Sequence, residues 1–119
     1  MRLSEKCKYQ ETYTDSEYET TTYYFTCNDT KFAKEFLEQF NISVGKSVGC
    51  DFDEKDFAGF EISIEVSHQP GHRLGIFISP IYDNGGNLVN FDYVDISSYD
   101  ELHEQAEELI RIGKQESFK

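Results

Sequence analysis

His68 and His72 stand four residues apart, an interval at which two imidazoles on one helix face can hold zinc. Pro70 and Gly71 lie between them, so the segment reads as a turn, and no Cys or carboxylate stands at matching spacing. Asp51-Phe52-Asp53-Glu54-Lys55-Asp56 has the carboxylate density of a calcium loop. An EF-hand requires an oxygen ligand at its fifth position and Gly at its sixth, where Lys55 and Asp56 stand instead. Gly45-Lys46-Ser47 carries the end of a phosphate loop without the earlier Gly that its geometry needs. No GxSxG or HExxH occurs, and His103 sits among acids where a solvent-exposed position is expected. The expectations are therefore no enzyme, no cofactor and no metal site.

What remains is charge. Asp and Glu number 23 against 11 Lys and Arg, a formal net of −12 over 119 residues. Such a field repels nucleic acid and anionic membranes and attracts basic surfaces. Direct nucleic-acid binding is disfavoured, because phosphate affinity comes from Lys and Arg that displace counterions, and the chain has no basic run. Ten Phe and eight Tyr accompany the acids, and aromatic rings among carboxylates suit a protein interface whose partner is basic. Three acidic surfaces are candidates: the segment 11–19, the loop 51–56 and the glutamate face of the last helix.

The elements that would position these groups follow from periodicity. Residues 5–14 and 19–27 are rich in Thr and Tyr, which fit a pleated, half-buried surface, and Asp15-Ser16-Glu17 joins them as a hairpin turn. Strict alternation turns Cys7, Tyr9 and Tyr13 inward on the first strand and Tyr23, Phe25 and Cys27 inward on the second. Thr22, Tyr24 and Thr26 then face water. Asn28, Asp29 or Thr30 caps a helix whose apolar stripe is Phe32, Ala33, Phe36, Leu37 and Phe40, and Asn41 ends it. Residues 43–58 read as a loop. Phe60, Ile62, Ile64 and Val66 alternate with Glu61, Ser63, Glu65 and Ser67, a strand with one dry and one wet face. A turn at 69–72 leads to Leu74–Tyr82, apolar on both faces and so inside a sheet, with Pro80 marking an edge, a bulge or the end of regular pairing. Asp83–Asn87 is a hairpin turn, followed by a strand over 88–96. Ser98 and Glu101 match a capping box for a last helix with Leu102, Ala106, Leu109 and Ile110 buried, fraying after Gly113, from about 114.

The order β-β-α-β-β-β-α predicts a single α+β domain over residues 1–119. Its antiparallel sheet has about five strands, with two helices packed on one face. Cys7, Cys27 and Cys50 form no CxxC pair. The odd count, the absence of an apolar leader and the absence of any stretch of about 18 apolar residues predict a reduced, cytoplasmic protein. A Cys7–Cys27 bridge between neighbouring strands stays open as an alternative.

In composition the chain is similar in general character to phage-encoded anti-defence proteins and to immunity proteins that block nuclease toxins; the resemblance covers no motif. It implies a non-enzymatic inhibitor that binds a basic nucleic-acid-handling protein, such as a CRISPR effector or restriction nuclease, and occludes its nucleic-acid site. Glu11, Asp15, Glu17, Glu19, Asp51, Asp53, Glu54 and Asp56 are the expected electrostatic contacts, with Tyr13 and Tyr18 as anchors. The alternatives are an immunity protein for a cognate toxin and an assembly or accessory subunit with incidental acidity. An enzyme using His68, His72 and nearby acids is a further alternative.

Overall fold

A computed structural model describes residues 2–42, 54–71, 73–90 and 93–118. In chain order the elements are α1 (Leu3–Lys6), β1 (Cys7–Asp15), β2 (Thr20–Cys27) and α2 (Thr30–Glu38). A 3-10 turn (Glu54–Asp56) follows, then β3 (Phe57–Ser67), β4 (Gly75–Asn84), β5 (Asn87–Asn90), β6 (Val94–Asp95) and α3 (Glu101–Ser117). All strand pairs are antiparallel, in the order β1-β2-β3-β4-β5, with β6 also on β4. The α+β class and the order read from periodicity hold, with a third short helix and a sixth strand added.

One face of the sheet carries the core. Tyr23, Phe25 and Cys27 of β2, Phe60, Ile62 and Ile64 of β3, and Ile76 and Ile78 of β4 are buried. α2 seats Ala33, Phe36 and Leu37 on this face, with the Phe36 and Phe60 rings 5.4 Å apart. α3 adds Leu102, Ala106, Leu109 and Ile110. Burial of this size is the main favourable term in folding a chain this long. Asp29 is the cap of α2, its carboxylate accepting from the Phe32 N–H at 3.1 Å, and Asn41 ends the following turn at φ 59°.

Five local expectations are corrected. A bulge falls between Tyr9 and Glu11: Tyr9 pairs with Phe25, yet Glu11 pairs with Tyr24. The extra residue, Gln10, inverts the alternation, so Tyr13 leaves the inner face, and the Thr12 hydroxyl bonds Ser117 Oγ of α3 at 2.6 Å. Residues 3–6 are helical because Leu3 is 1% exposed in the core and its N–H donates to Gln105 Oε1 at 2.9 Å. The strand expected over 88–96 is two, β5 and β6. Pro80 falls opposite the interval between them, since β5 pairs from Ile81 and β6 up to Ile78. Ser98 does not cap α3, which starts at Glu101 after Asp100 without a side-chain cap; the serine in use is Ser97, whose hydroxyl accepts from the Ile76 N–H at 2.7 Å. Finally, α3 runs four residues beyond Gly113, because that glycine is a packing contact with Tyr23.

Candidate protein-binding face

The other face of the sheet is built from the residues that alternate with the core. The register places them in cross-strand rows. Asp15, Thr20 and Ser67 form the first, at the hairpin end. Tyr13, Thr22, Glu65 and Gly75 form the second, and Glu11, Tyr24, Ser63 and Phe77 the third. Lys8, Thr26, Glu61 and Ser79 form the fourth. Strands are about 4.8 Å apart and rise about 3.4 Å per residue. Glu11 on β1 therefore lies two strands, about 10 Å, from β3 and one row from both Glu61 and Glu65, while Asp15 lies at the hairpin end, one row beyond Glu65. Tyr24 stands beside Glu11, between it and the two β3 acids. Its hydroxyl is pushed above the usual phenol range by partial burial, and then by the charges of Glu61, Glu11 and Glu65. Lys8 is the one basic residue in these rows.

The hairpin tip walls one end. Asp15 Oδ1 accepts from the N–H groups of Glu17 and Tyr18 at 3.0 and 3.2 Å, an Asx turn that closes residues 16–19. Glu19 adopts φ 53°, and its carbonyl accepts from the His68 N–H at 2.8 Å. The tip thereby leaves an open groove of about 570 Å³, lined among others by Tyr13, Tyr18, Thr22, Tyr24 and Glu65. Tyr13 is 58% and Tyr18 67% exposed. At the far end the Tyr93 hydroxyl donates to the Glu61 carboxylate. Partial burial first, and then that hydrogen bond, raise its ionisation well above the phenol range.

Of the six expected contacts on the hairpin, five share this surface: Glu11, Tyr13 and Asp15 on β1, and Glu17 and Tyr18 in the tip; Glu19 is exposed at the tip but does not line the groove. The other four do not join them. Asp51 and Asp53 lie outside the described residues, as does the side chain of Glu54. Asp56 lies in the turn that enters β3, about 35 Å along that strand from the end that meets the hairpin tip. The face also contains Tyr24, Glu61 and Glu65. Their alternation marked them as solvent-facing, but only the register shows that they surround the same ring.

The histidines are engaged locally. His68 Nε2 bonds the Thr21 hydroxyl at 2.8 Å. His103 is half-buried rather than fully exposed, its Nε2 donating to the Ser97 carbonyl at 2.8 Å; His72 lies outside the described residues. Among the described residues no three His, Cys, Asp or Glu side chains converge as a metal site would need, and no helix is long and apolar enough to cross a membrane. A second depression, of about 430 Å³, lies on the helical side with Lys6, Asp29, Lys31 and Glu35 in its wall, and its charges are mixed. Among the described residues the open face combines exposed tyrosines with a charge that is negative apart from Lys8. The fold and this face define the class: an antiparallel α+β protein with helices on one side of its sheet and an acidic, aromatic surface on the other. In comparisons with known proteins the chain matches no family, no curated protein and no solved structure.

Proposed function

We propose that this is a binding protein, not an enzyme, and that its open sheet face docks the basic surface of a nucleic-acid-handling protein and occludes the nucleic-acid site. A CRISPR effector or a restriction nuclease is a partner of this chemistry. The observation that carries the reading is the meeting of Glu11, Glu61 and Glu65 around Tyr24 on a predominantly acidic face. Carboxylates on a rigid sheet stand where phosphates would lie, and Tyr13, Tyr18 and Tyr24 supply flat contact area that loses little entropy on docking. Complementary charge speeds encounter, and the aromatic anchors slow release.

The test begins with affinity capture by the tagged protein and identification of what elutes as salt is raised. The purified pair is then titrated at stepped ionic strength, with nucleic acid as competitor. The reading expects competition, and a loss of affinity on the order of ten-fold in the Glu11→Gln/Glu61→Gln/Glu65→Gln variant, mainly through slower association. A variant that binds as before with the same salt dependence, or a partner that holds nucleic acid and this protein together, refutes it.

A further inference from the structure

Cys7 opens β1, Cys27 closes β2, and the register makes them direct partners across the two strands. Cys27 is fully buried and Cys7 half-buried against the core, so of the two residues Cys7 is the one with exposure to solvent. Antiparallel partners have Cα atoms about 4.5 or 5.5 Å apart, and both spacings lie within the roughly 4.4–6.8 Å that a disulfide spans. The two thiols contact one another. The hydrogen bond between them raises Cys7 above the usual thiol range and lowers Cys27. The Lys6–Asp29 ion pair, 2.7 Å between Nζ and Oδ2, lies beside Cys27, with the carboxylate opposing the ammonium in its effect on the thiol.

We propose that Cys7 and Cys27 form a thiol–disulfide site that closes by exchange with a small-molecule disulfide such as oxidised glutathione. The Cys7 sulfur attacks the external disulfide, forming a mixed disulfide and releasing one glutathione thiol. The Cys27 sulfur then attacks the Cys7 sulfur and displaces the second. The pair loses two electrons and two protons, and the small disulfide takes up both as two thiols. The bridge closes the whole β1–β2 hairpin as one covalent loop, and so fixes the base of the arm that carries Tyr13 and Tyr18.

The experiment uses the full chain with Cys50→Ser, equilibrated in oxidised and reduced glutathione at stepped ratios, quenched by alkylation and read by mass spectrometry. The expected product is a peptide pair joined through Cys7 and Cys27, with a melting temperature raised by about 10 °C over the reduced form. Cys27→Ser should stop at glutathione on Cys7, whereas Cys7→Ser should take up none. If Cys27→Ser does not fold, Cys27→Ala gives the same readout, and the wild-type pair decides in any case. Two free thiols at the most oxidising ratio, or glutathione retained on Cys7 with no bridge, overturn the proposal.

Discussion

Gly113→Ala tests how closely α3 is seated on the sheet. Inside an exposed helix, Ala is favoured over Gly by about 1 kcal/mol. At position 113 the added Cβ falls 3.1 Å from Cγ and 2.4 Å from Cδ1 of Tyr23, the latter more than 1 Å inside the ordinary carbon–carbon contact of about 3.5–4.0 Å. The clash is at the root of a ring that is 6% exposed in the middle of β2, so the ring cannot swing away, and helix and strand must part. Overpacking of this kind costs about 1–3 kcal/mol. We take the clash near the upper end of that range, since backbone elements have to move. Net of the helix gain, the loss is about 1–2 kcal/mol. For a 119-residue chain each kcal/mol is about 4 °C, so thermal unfolding followed by circular dichroism should show a fall of about 4–8 °C. The same substitution in a Tyr23→Val background, where no ring opposes it, should be neutral or stabilising, giving a coupling of about 1 kcal/mol or more. A rise in melting temperature on the wild-type background, or an equal loss in both backgrounds, would refute the packing argument.

Tyr13→Ala and Tyr18→Ala remove exposed rings and should change stability by less than about 0.5 kcal/mol while weakening partner binding; an unfolding shift as large as that of Gly113→Ala would show that the rings are structural. Alkaline spectrophotometric titration should reveal tyrosines that ionise above the usual value of about 10, assigned with Tyr24→Phe and Tyr93→Phe. Glu61→Gln should lower both, because Glu61 acts on each, and an unchanged titration would contradict the geometry of the face. Asp29 is held below the usual carboxylate range by the Lys6 hydrogen bond, and Glu108 by the Ser4 and Arg2 hydrogen bonds. Both carboxylates therefore stabilise the fold above about pH 4, and that contribution is lost on acidification below it. Asp29→Asn and Glu108→Gln should flatten the melting temperature against pH in that range, and an unaltered acid slope would exclude these groups as its source. Gly59 has φ 126°, and a Cβ there would meet the Cys27 carbonyl oxygen at 1.9 Å. Gly59→Ala should accordingly be far worse than Gly113→Ala, as judged by soluble yield and circular dichroism.

The sequence was informative wherever a pattern is local. Glu61 to Val66 alternate, Phe32 to Phe40 recur at helical spacing, and Asn84-Gly85-Gly86-Asn87 permits the positive φ of 63° and 95° that a tight hairpin needs. Features that depend on distant partners were hidden. Residues 3–6 are helical because of Gln105 and Glu108 on α3, roughly a hundred positions away. Gly113 reads as a helix terminator unless Tyr23 is known to lie against it. The capping-box pattern at Ser98 and Glu101 is outcompeted, because Ser97, one residue earlier, bonds the backbone of β4. The candidate face was half legible. The hairpin acids and Tyr18 stand out in composition, but the meeting of Glu11, Glu61 and Glu65 around Tyr24 is a property of register. Plain alternation puts Tyr13 on the wrong side, because a bulge leaves no mark in alternation when polar and aromatic residues are mixed.

That bulge makes Gln10 a phase switch between two reading frames of the same strand. With Gln10 drawn into the ladder, the residues beyond would revert to plain alternation. Thr12 and Thr14 would turn to water, and Glu11, Tyr13 and Asp15 would turn towards the helices, bringing two carboxylates beneath α3. Deleting Gln10 would restore a regular ladder with Glu11 still opposite Tyr24 and the outward face intact, whereas pairing Gln10 within the ladder exchanges inside for outside along the rest of β1. The sign of the protein's exposed surface hangs on one uncharged residue staying outside the ladder.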